Sequence, residues 1–223
     1  MRKLITGIVD FQERLLPQYA DRFHQLAQGQ TPDSLLITCS DSRFVPDLLM
    51  SMDPGELFVM RNVGNLVPPS TVEGTSTGDL SEASAIEYAV LKLRVRDIVV
   101  CGHSECGAMK AALERQPLSE TPNLAKWLHH SAAAVFRLEQ EGPLDPRLNR
   151  CDQLSQLNVL VQLEHLASYP IVRERIVDGT LHLSGFWFDI AKAEMWAYDR
   201  ESRRFETINR DSAERLLNRL DRV

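Results

Sequence analysis

The chain has 223 residues, of which 43% are hydrophobic and 25% are charged, and this length and composition predict one globular domain with a sizeable buried core. Its net charge of −6 at pH 7 offers no basic face for nucleic acid, and no segment approaches the roughly 20 consecutive apolar residues that cross a bilayer. We therefore expect neither a nucleic-acid partner nor a membrane partner.

The first 30 residues are predicted to form helices, with a second helical segment after Pro17. Residues 4–9 form an apolar run that follows two basic residues, as at the start of a secretory signal. The run is shorter than the roughly 7–15 apolar residues that such a signal needs, and Asp10 ends it. We accordingly expect a cytoplasmic protein in which an N-terminal helical arm, residues 1–30, belongs to the single domain 1–223.

Short apolar runs between polar turns predict strands, and periodic segments predict helices. The predicted strands are 35–39, 57–60, 97–101, 181–188 and 194–198. The predicted helices are 79–93, 106–115, 122–140, 152–168, 170–178 and 211–220, and residues 67–78 are predicted to form a loop. Strands separated by helices indicate an α/β fold, with a central, mainly parallel β-sheet flanked by helices and a late antiparallel edge.

Polar side chains follow two of the predicted strands. Cys39 ends the first strand, and His103 and Cys106 follow the third. Ligands of open α/β sheets bind at the carboxyl ends of the strands, so these three side chains are expected to meet there. Two thiolates and one imidazole are a known catalytic zinc set that leaves a fourth position for water. The sequence therefore indicates a zinc site.

The cysteines allow simpler interpretations as well. The chain has four cysteines, which are too few for a disulfide scaffold in a protein of this length, and four buried thiols are one alternative. A structural zinc site is another, and it would normally be closed by a fourth Cys or His. Cys101 lies in or at the end of its strand and Cys151 lies far along the chain, so neither is suited to that position.

Asp41 and Arg43 lie two residues apart directly after Cys39. A carboxylate and a guanidinium at this spacing can form a bidentate pair. One interpretation is a surface salt bridge worth under about 1 kcal/mol. The other is that Arg43 fixes Asp41 beside the metal, either as a fourth ligand or as a hydrogen-bond acceptor for the metal-bound water.

Five motifs resemble those of the β-carbonic anhydrases, in the branch shared by plastid enzymes and many bacterial ones. They are Cys-Ser-Asp-Ser-Arg at 39–43, Pro-Gly-Glu-Leu-Phe at 54–58, Arg-Asn-Val-Gly-Asn at 61–65, Ala-Ile-Glu-Tyr-Ala at 85–89 and Gly-His-Ser-Glu-Cys-Gly at 102–107. The resemblance runs over nearly the whole chain, and the combination is very specific. It implies a lyase that reversibly hydrates CO2 to bicarbonate and a proton by attack of zinc-bound hydroxide, with one Zn2+ ion per chain.

The resemblance also implies roles for individual side chains. Cys39, His103 and Cys106 would bind zinc, and Asp41 with Arg43 would form a dyad beside it. The residues implied to contact the substrate are Gln30, Phe58, Val63, Tyr88 and Gly107, the last through its backbone N–H. In relatives the pocket lies at a dimer interface. We therefore expect a homodimer or higher homo-oligomer in which the N-terminal helices pack on a partner and Gln30, Phe58 and Tyr88 serve the partner's zinc.

The chain departs from the family pattern at three places. Leu36, Thr38 and Phe188 stand where some bacterial members have the Trp, Gly and Tyr of a separate inhibitory bicarbonate site, so that site is expected to be absent. Residues 184–188 differ from the usual His-Gly-Trp-x-Tyr of the late strand, which affects local packing. The loop at 70–79 is longer than in close relatives and is expected to reshape the pocket mouth.

Two alternative functions remain open at this point. One is hydrolysis of carbon disulfide or carbonyl sulfide on the same zinc site, with access altered by the loop at 70–79. The other is a non-catalytic zinc-binding or scaffold protein. Asp41, Arg43 and Gln30 argue against the second alternative, because a structural site needs none of them.

Overall fold

Six strands form a single sheet in the computed structural model, which describes residues 1–114 and 120–220. The strands are β1 (Ser34–Cys39), β2 (Leu57–Asn62), β3 (Asp97–His103), β4 (His182–Asp189), β5 (Glu194–Asp199) and β6 (Arg204–Thr207). Their order across the sheet is β2-β1-β3-β4-β5-β6. The first four are parallel, and β5 and β6 are antiparallel additions at one edge. The predicted α/β fold, with a mainly parallel sheet and a late antiparallel edge, is confirmed.

Helices connect most of these strands. They are α1 (Arg2–Asp10), α2 (Leu16–Leu26), α3 (Pro46–Met50), α4 (Leu80–Glu87), α5 (Gly107–Glu114), α6 (Pro122–Leu128), α7 (Ala132–Gln140), α8 (Arg150–Ser168), α9 (Pro170–Val177) and α10 (Arg210–Leu220). A π-helical turn, Phe11–Leu15, joins α1 to α2, and another, Tyr88–Leu93, continues α4. A 3-10 turn, His129–Ser131, joins α6 to α7. Pro17 lies in the first turn of α2, where a missing N–H costs least.

The central strands are buried on both faces. In β1, five of six residues are buried, as expected for a parallel strand covered by helices, and successive side chains point to opposite faces. Leu35 and Ile37 belong to the larger core cluster. Leu36 belongs to a different cluster with Phe44 and Phe188. This burial on both faces explains why the strand is a continuous apolar run.

Helix α8 packs across β3 and β4 and holds the end of β3 in place. Asn149 caps the helix by accepting the Asp152 N–H at 3.0 Å. Gly102 permits the close approach, because a Cβ atom there would lie 2.8 Å from Val159 Cγ2. Ser155 Oγ donates a hydrogen bond to the His103 carbonyl at 2.7 Å. The carboxyl end of β3 is therefore anchored to the helix behind it.

Two short elements were not predicted from the sequence, namely α3 and β6. Helix α3 has only five residues, which is too short for a helical pattern to be recognised, and β6 pairs with β5 over four residues at the sheet edge. The predicted loop at 67–78 contains one isolated bridge between Ser70 and Ser76. The other predicted elements agree with the structure to within two residues at each end, apart from the 3-10 turn within 122–140 and the N-terminal helices, which end at Leu26 rather than at residue 30. Residue 115, the predicted end of α5, lies outside the described residues.

The N-terminal arm presents apolar side chains to solvent. Neither α1 nor α2 buries a residue. The exposed large apolar side chains of the arm are Met1, Leu4, Ile5, Ile8, Val9, Leu15 and Phe23. Clustered apolar side chains at a surface are typical of interaction sites, so packing of the arm on a partner subunit stays a prediction. In the part of the chain that the structure describes, no helix is both long and apolar enough to cross a membrane.

Candidate metal centre

Three potential metal ligands meet at the carboxyl edge of the sheet. Cys39 is the last residue of β1 and His103 is the last residue of β3, and these strands are parallel neighbours. Cys106 comes three residues later, directly before α5. The two Sγ atoms and a ring nitrogen of His103 all lie within 4.8 Å of one another, and all three residues are buried. The structure therefore brings together the three residues predicted as metal ligands.

The His103 ring is oriented as a metal ligand would be. Its Nδ1 lies 2.8 Å from the Ser104 carbonyl oxygen, and because a carbonyl can only accept, Nδ1 carries the proton and Nε2 has a free lone pair. Nε2 is buried and has no hydrogen-bond partner among the described residues, which a metal ion would provide. Burial lowers the pKa of His103, but the Cys39 sulfur, the Ser104 carbonyl and Asp41 outweigh burial and raise it. The surroundings of this ring thus favour a positive charge.

The contact between the two sulfur atoms shifts their pKa values in opposite directions. A hydrogen bond from the Cys106 thiol, supported by His103 and by the Gly64 N–H at 3.4 Å, lowers the pKa of Cys39 despite burial. The same contact with Cys39, together with burial, raises the pKa of Cys106, although backbone N–H groups in the first turn of α5 act in the opposite direction. Both shifts arise from the contact between the two sulfurs, and a divalent cation bound there would allow both to ionise.

The donor set fits zinc. Thiolates and imidazole are the ligands that zinc binds in tetrahedral sites, and three protein ligands leave one position open. The other two cysteines make different contacts. The Cys101 sulfur lies 3.9 Å from Met195 Sδ, and the Cys151 thiol donates to the Cys106 carbonyl at 3.4 Å. The residues present thus fit a zinc ion with an open coordination position.

Asp41 stands beside the ligands with its carboxylate held by Arg43. Arg43 donates Nε to Oδ1 at 2.9 Å, Nη2 to Oδ2 at 2.7 Å and its backbone N–H to Oδ1 at 2.9 Å. Asp41 Oδ2 also lies 3.9 Å from His103 Nε2. Hydrogen bonding from Arg43 holds the pKa of Asp41 well below its usual range, although burial opposes this effect. The carboxylate is therefore ionised at neutral pH and can only accept hydrogen bonds.

The turn that joins the second and third ligands has an unusual backbone. Glu105 has a φ of +53°, and the left-handed region costs an L-residue about 1–2 kcal/mol. Its N–H donates to Asp152 Oδ1 at 2.6 Å, and its carbonyl accepts from Arg43 Nη2 at 3.0 Å. Its Oε1 accepts from Asn149 Nδ2 at 2.9 Å. The N-terminus of α8 and the loop after β1 thus both hold this one residue.

Arg61 of β2 holds the loop that carries the first ligand. Its Nε donates to the Cys39 carbonyl at 3.1 Å, and its Nη2 donates to the carbonyls of Asp41 at 2.8 Å and Phe44 at 3.0 Å. Neither Arg61 nor Asp152 has a role of its own that is predicted from the sequence. Their contacts join residues up to 47 positions apart, and no local pattern specifies such a contact. A polar residue three positions after Asn149 could have predicted only a helix cap.

The residues predicted to contact the substrate lie outside the ligand cluster. The rings of Phe58 and Tyr88 pack together with centroids 5.8 Å apart, and Tyr88 is 46% exposed. Val63 is exposed, and its carbonyl accepts the Trp127 indole N–H at 2.7 Å. Gly107 begins α5 with open space around the position of a Cβ atom, and Gln30 is exposed between α2 and β1. In the described residues, no hydrogen bond joins Gln30 to the cluster, and its role stays a prediction.

The positions that depart from the family pattern are occupied by core packing. Leu36 and Phe188 are buried in one cluster, in which the Phe188 ring packs edge-on against Phe44 with centroids 5.6 Å apart. The Thr38 hydroxyl donates to the Cys101 carbonyl at 3.0 Å. The expected absence of a second bicarbonate site stays a prediction.

The sequence matches known proteins along most of its length. A family model described as carbonic anhydrase matches residues 34–195. The carbonic anhydrase of Pseudomonas aeruginosa is 43% identical over 209 residues, which cover 93% of this chain and 92% of that protein. The carbonic anhydrase of Synechococcus elongatus is 42% identical over 207 residues, which cover 91% of this chain and 73% of that protein.

Solved structures are similar as well. The β-carbonic anhydrase CcaA has a TM-score of 0.85 to this chain at 36% identity, covering 93% of this chain and 99% of that one. A tetrameric β-carbonic anhydrase from Sordaria macrospora has a TM-score of 0.75 at 31% identity, covering 88% of this chain and 95% of that one. The residues that the family model matches include strands β1 to β4 and all three of Cys39, His103 and Cys106.

Proposed function

Because this chain belongs to the β-carbonic anhydrase family, we propose that it catalyses the reversible hydration of CO2 to bicarbonate and a proton. The observation that carries the proposal is the cluster of Cys39, His103 and Cys106, with ligand atoms within 4.8 Å of one another and the Asp41 carboxylate alongside. We assign one zinc ion per chain to this cluster.

Zinc held there would act as a Lewis acid that makes water a nucleophile near neutral pH. Two thiolates balance the charge of such an ion, so the protein has to assist the nucleophile more than three neutral histidines would require. The Asp41 carboxylate is the described acidic group placed to do this, because its Oδ2 is 3.9 Å from His103 Nε2. The chemistry of the donor set therefore implies a role for Asp41.

Asp41 would orient the attacking water by accepting its hydrogen bond. Arg43 binds both carboxylate oxygens, at 2.9 and 2.7 Å, and fixes the plane of the carboxylate. Since Oδ1 and Oδ2 are both already engaged by the guanidinium, we assign Asp41 as an acceptor rather than as a fourth metal ligand. Arg43 also keeps the carboxylate ionised, and an ionised carboxylate cannot donate a competing hydrogen bond.

CO2 is an apolar molecule, and apolar side chains that are at least partly exposed would receive it. Phe58 and Tyr88 form one such surface, with Val63 near the ligands, while Gln30 and the Gly107 N–H would bind the substrate oxygens. We propose that the chain forms a homodimer or higher homo-oligomer, in which Gln30, Phe58 and Tyr88 line the site of the partner. The exposed apolar face of the N-terminal arm and the tetrameric state of the Sordaria macrospora relative support this assembly.

Stopped-flow hydration of CO2 by the purified, zinc-loaded protein tests the proposal. We expect turnover that rises with pH between about 6.5 and 9, around the range in which zinc-bound water ionises. Consumption of CS2, measured in parallel, is expected to remain at background. Consumption of CS2 without CO2 turnover would contradict the proposal in favour of a sulfur substrate. One zinc per chain with neither activity would contradict it in favour of a non-catalytic site.

A further inference from the structure

Asp152 is a buried acid near the metal centre that the proposed reaction does not use. It is 6% exposed and is the third residue of α8, where the helix N-terminus favours a negative charge. Among the described residues its carboxylate forms no ion pair, and it accepts the Glu105 N–H at 2.6 Å and the Asn149 side-chain amide at 2.9 Å. A buried carboxylate is costly unless it is fully hydrogen-bonded, so these two contacts determine where it points.

The carboxylate of Asp152 does not cap its own helix. That role belongs to Asn149, whose Oδ1 accepts the Asp152 N–H at 3.0 Å. The Asp152 side chain is directed instead at the backbone of Glu105, the left-handed residue between two of the ligands. Removing this carboxylate would therefore keep the hydrogen bond from the Asp152 N–H to Asn149 Oδ1, lose the contact with the Asn149 amide and release the turn.

The geometry points to Asp152 as a positioning residue for the metal centre. By accepting the Glu105 N–H, it holds the left-handed turn that sets the separation of His103 and Cys106. This inference rests on the zinc function proposed above. Without the contact, Glu105 would relax toward a right-handed or extended backbone, which L-residues prefer. The chain direction between the two ligands would change, and their ligand atoms would move apart.

Arg43 holds the same residue from the opposite side. Its Nη2 donates to the Glu105 carbonyl at 3.0 Å while also binding Asp41. The Arg43 guanidinium is charged, and charge-assisted hydrogen bonds are stronger than neutral ones. Asp152 thus completes a clamp whose other half is the dyad partner of Asp41.

Zinc affinity of the metal-free protein tests this role without relying on turnover. In competition with a coloured chelator, Asp152→Ala is expected to bind zinc about 10–100-fold more weakly than the parent, the usual effect of losing an outer-shell partner of a metal ligand. The absorption spectrum of the Co2+-substituted protein should change in the same variant. Ser212→Ala is the control, because Ser212 is a buried residue that holds the start of α10, and its zinc affinity should be unchanged.

A second substitution separates positioning from general support of the fold. Glycine adopts positive φ without a Cβ penalty, so Glu105→Gly in the Asp152→Ala background should recover most of the lost zinc affinity. A structural defect in α8 would not be repaired by this change. If Asp152→Ala does not fold, the same pair of measurements is made on Asp152→Leu, which fills the site with a branched side chain that cannot accept the Glu105 N–H.

Two results would overturn the inference: zinc affinity of the Asp152 variant equal to that of the parent, or a double variant as weak as the single one. The parent is measured in the same series for zinc binding and CO2 turnover. A parent that lacks either would refute the proposed function. A parent that has both, beside an unaffected Asp152 variant, would refute only the positioning role.

Discussion

Two Asp-x-Arg turns in this chain, at 41–43 and 145–147, have nearly the same internal hydrogen bonds. The arginine backbone N–H lies 2.9 Å from Asp41 Oδ1 in the first turn and 3.0 Å from Asp145 Oδ1 in the second. The Nε–Oδ1 distances are 2.9 and 2.8 Å, and the Nη2–Oδ2 distances are 2.7 and 2.8 Å. In both turns the arginine lowers the pKa of the aspartate. The pair is therefore a local structure that three residues can form by themselves.

The surroundings of the two turns differ. Asp41 follows the carboxyl end of β1, with Oδ2 3.9 Å from His103 Nε2, and Arg43 reaches on to the Glu105 carbonyl. Arg147 has an 82% exposed side chain, and within the described residues its side-chain hydrogen bonds all go to Asp145. The comparison teaches that the motif does not specify a function. Its place at the ligand-bearing edge of the sheet does, and the second turn provides matched controls for the first.

Removing a metal ligand should abolish the contribution of Asp41 to CO2 turnover, because no metal ion would be bound beside it. The two turns would then no longer differ in function. In Cys39→Ser the hydroxyl cannot ionise as a thiol does, and we expect loss of bound zinc and a fall of CO2 turnover to background. Metal analysis and stopped-flow assays check this, with circular dichroism to show that the chain is folded. Cys151→Ser is the matched control and should keep one zinc per chain and full turnover. A Cys39→Ser protein with normal zinc and turnover would remove this residue from the ligand set.

Neutralising each aspartate in turn sharpens the comparison. Asp41→Asn should lower kcat for CO2 hydration by about 10²–10⁴-fold, the usual contribution of a positioned acid or base, with zinc content unchanged. Asp145→Asn removes the same charge from the same kind of turn and should leave kcat unchanged. Stopped-flow rates of CO2 hydration per bound zinc measure the effect of each substitution on kcat. Equal effects of the two substitutions would mean that Asp41 acts only through the local turn.

Removing the arginine of each turn should give a smaller difference in CO2 turnover than neutralising the aspartates does. Arg43→Ala frees the Asp41 carboxylate and one side of the Glu105 turn, and we expect CO2 turnover to fall about 10–100-fold through misplacement of groups around the metal. The pKa of Asp41 should rise toward its usual range, because its largest lowering contact is gone. Arg147→Ala should leave turnover unchanged. Turnover of Arg43→Ala equal to that of the parent would show that Asp41 needs no fixed orientation.

The smallest expected effect is on acid stability and concerns the second turn alone. The folded-state pKa of Asp145 lies below the ordinary value of 3.8, so its pairing with Arg147 stabilises the fold above that pH and is lost as pH falls through the folded pKa. Asp145→Asn should therefore lower the urea midpoint slightly at pH 7, by an amount that shrinks in acid and in high salt. Urea unfolding at neutral and acidic pH measures this. A difference that grows as pH falls would contradict the assignment.

The same residues show which contacts of the site can be predicted from the sequence. Asp41 and Arg43 are two positions apart, so local geometry predicts their pairing. The cluster of Cys39, His103 and Cys106 follows from the rule that parallel strands end at one edge. The contact of Asp152 with Glu105 depends instead on how α8 lies across the sheet, which no local pattern specifies.

The helices and strands also divide into those that local sequence predicts and those that depend on the rest of the fold. Long periodic segments such as α8, and β-branched runs such as the one in β3, can be predicted from their own residues. Helix α3 and strand β6 have five and four residues and form where the surrounding chain places them. Their existence depends on tertiary packing and pairing rather than on a pattern of their own.

CO2 hydration measured during stepwise return of zinc to the metal-free protein is the most direct test of the central claim. The account predicts that the rate rises in proportion to bound zinc and levels off at one ion per chain, with Asp145→Asn following the same line. Full turnover in the metal-free protein, or a rate unaffected by added zinc, would contradict the assignment of Cys39, His103 and Cys106 as the catalytic metal centre.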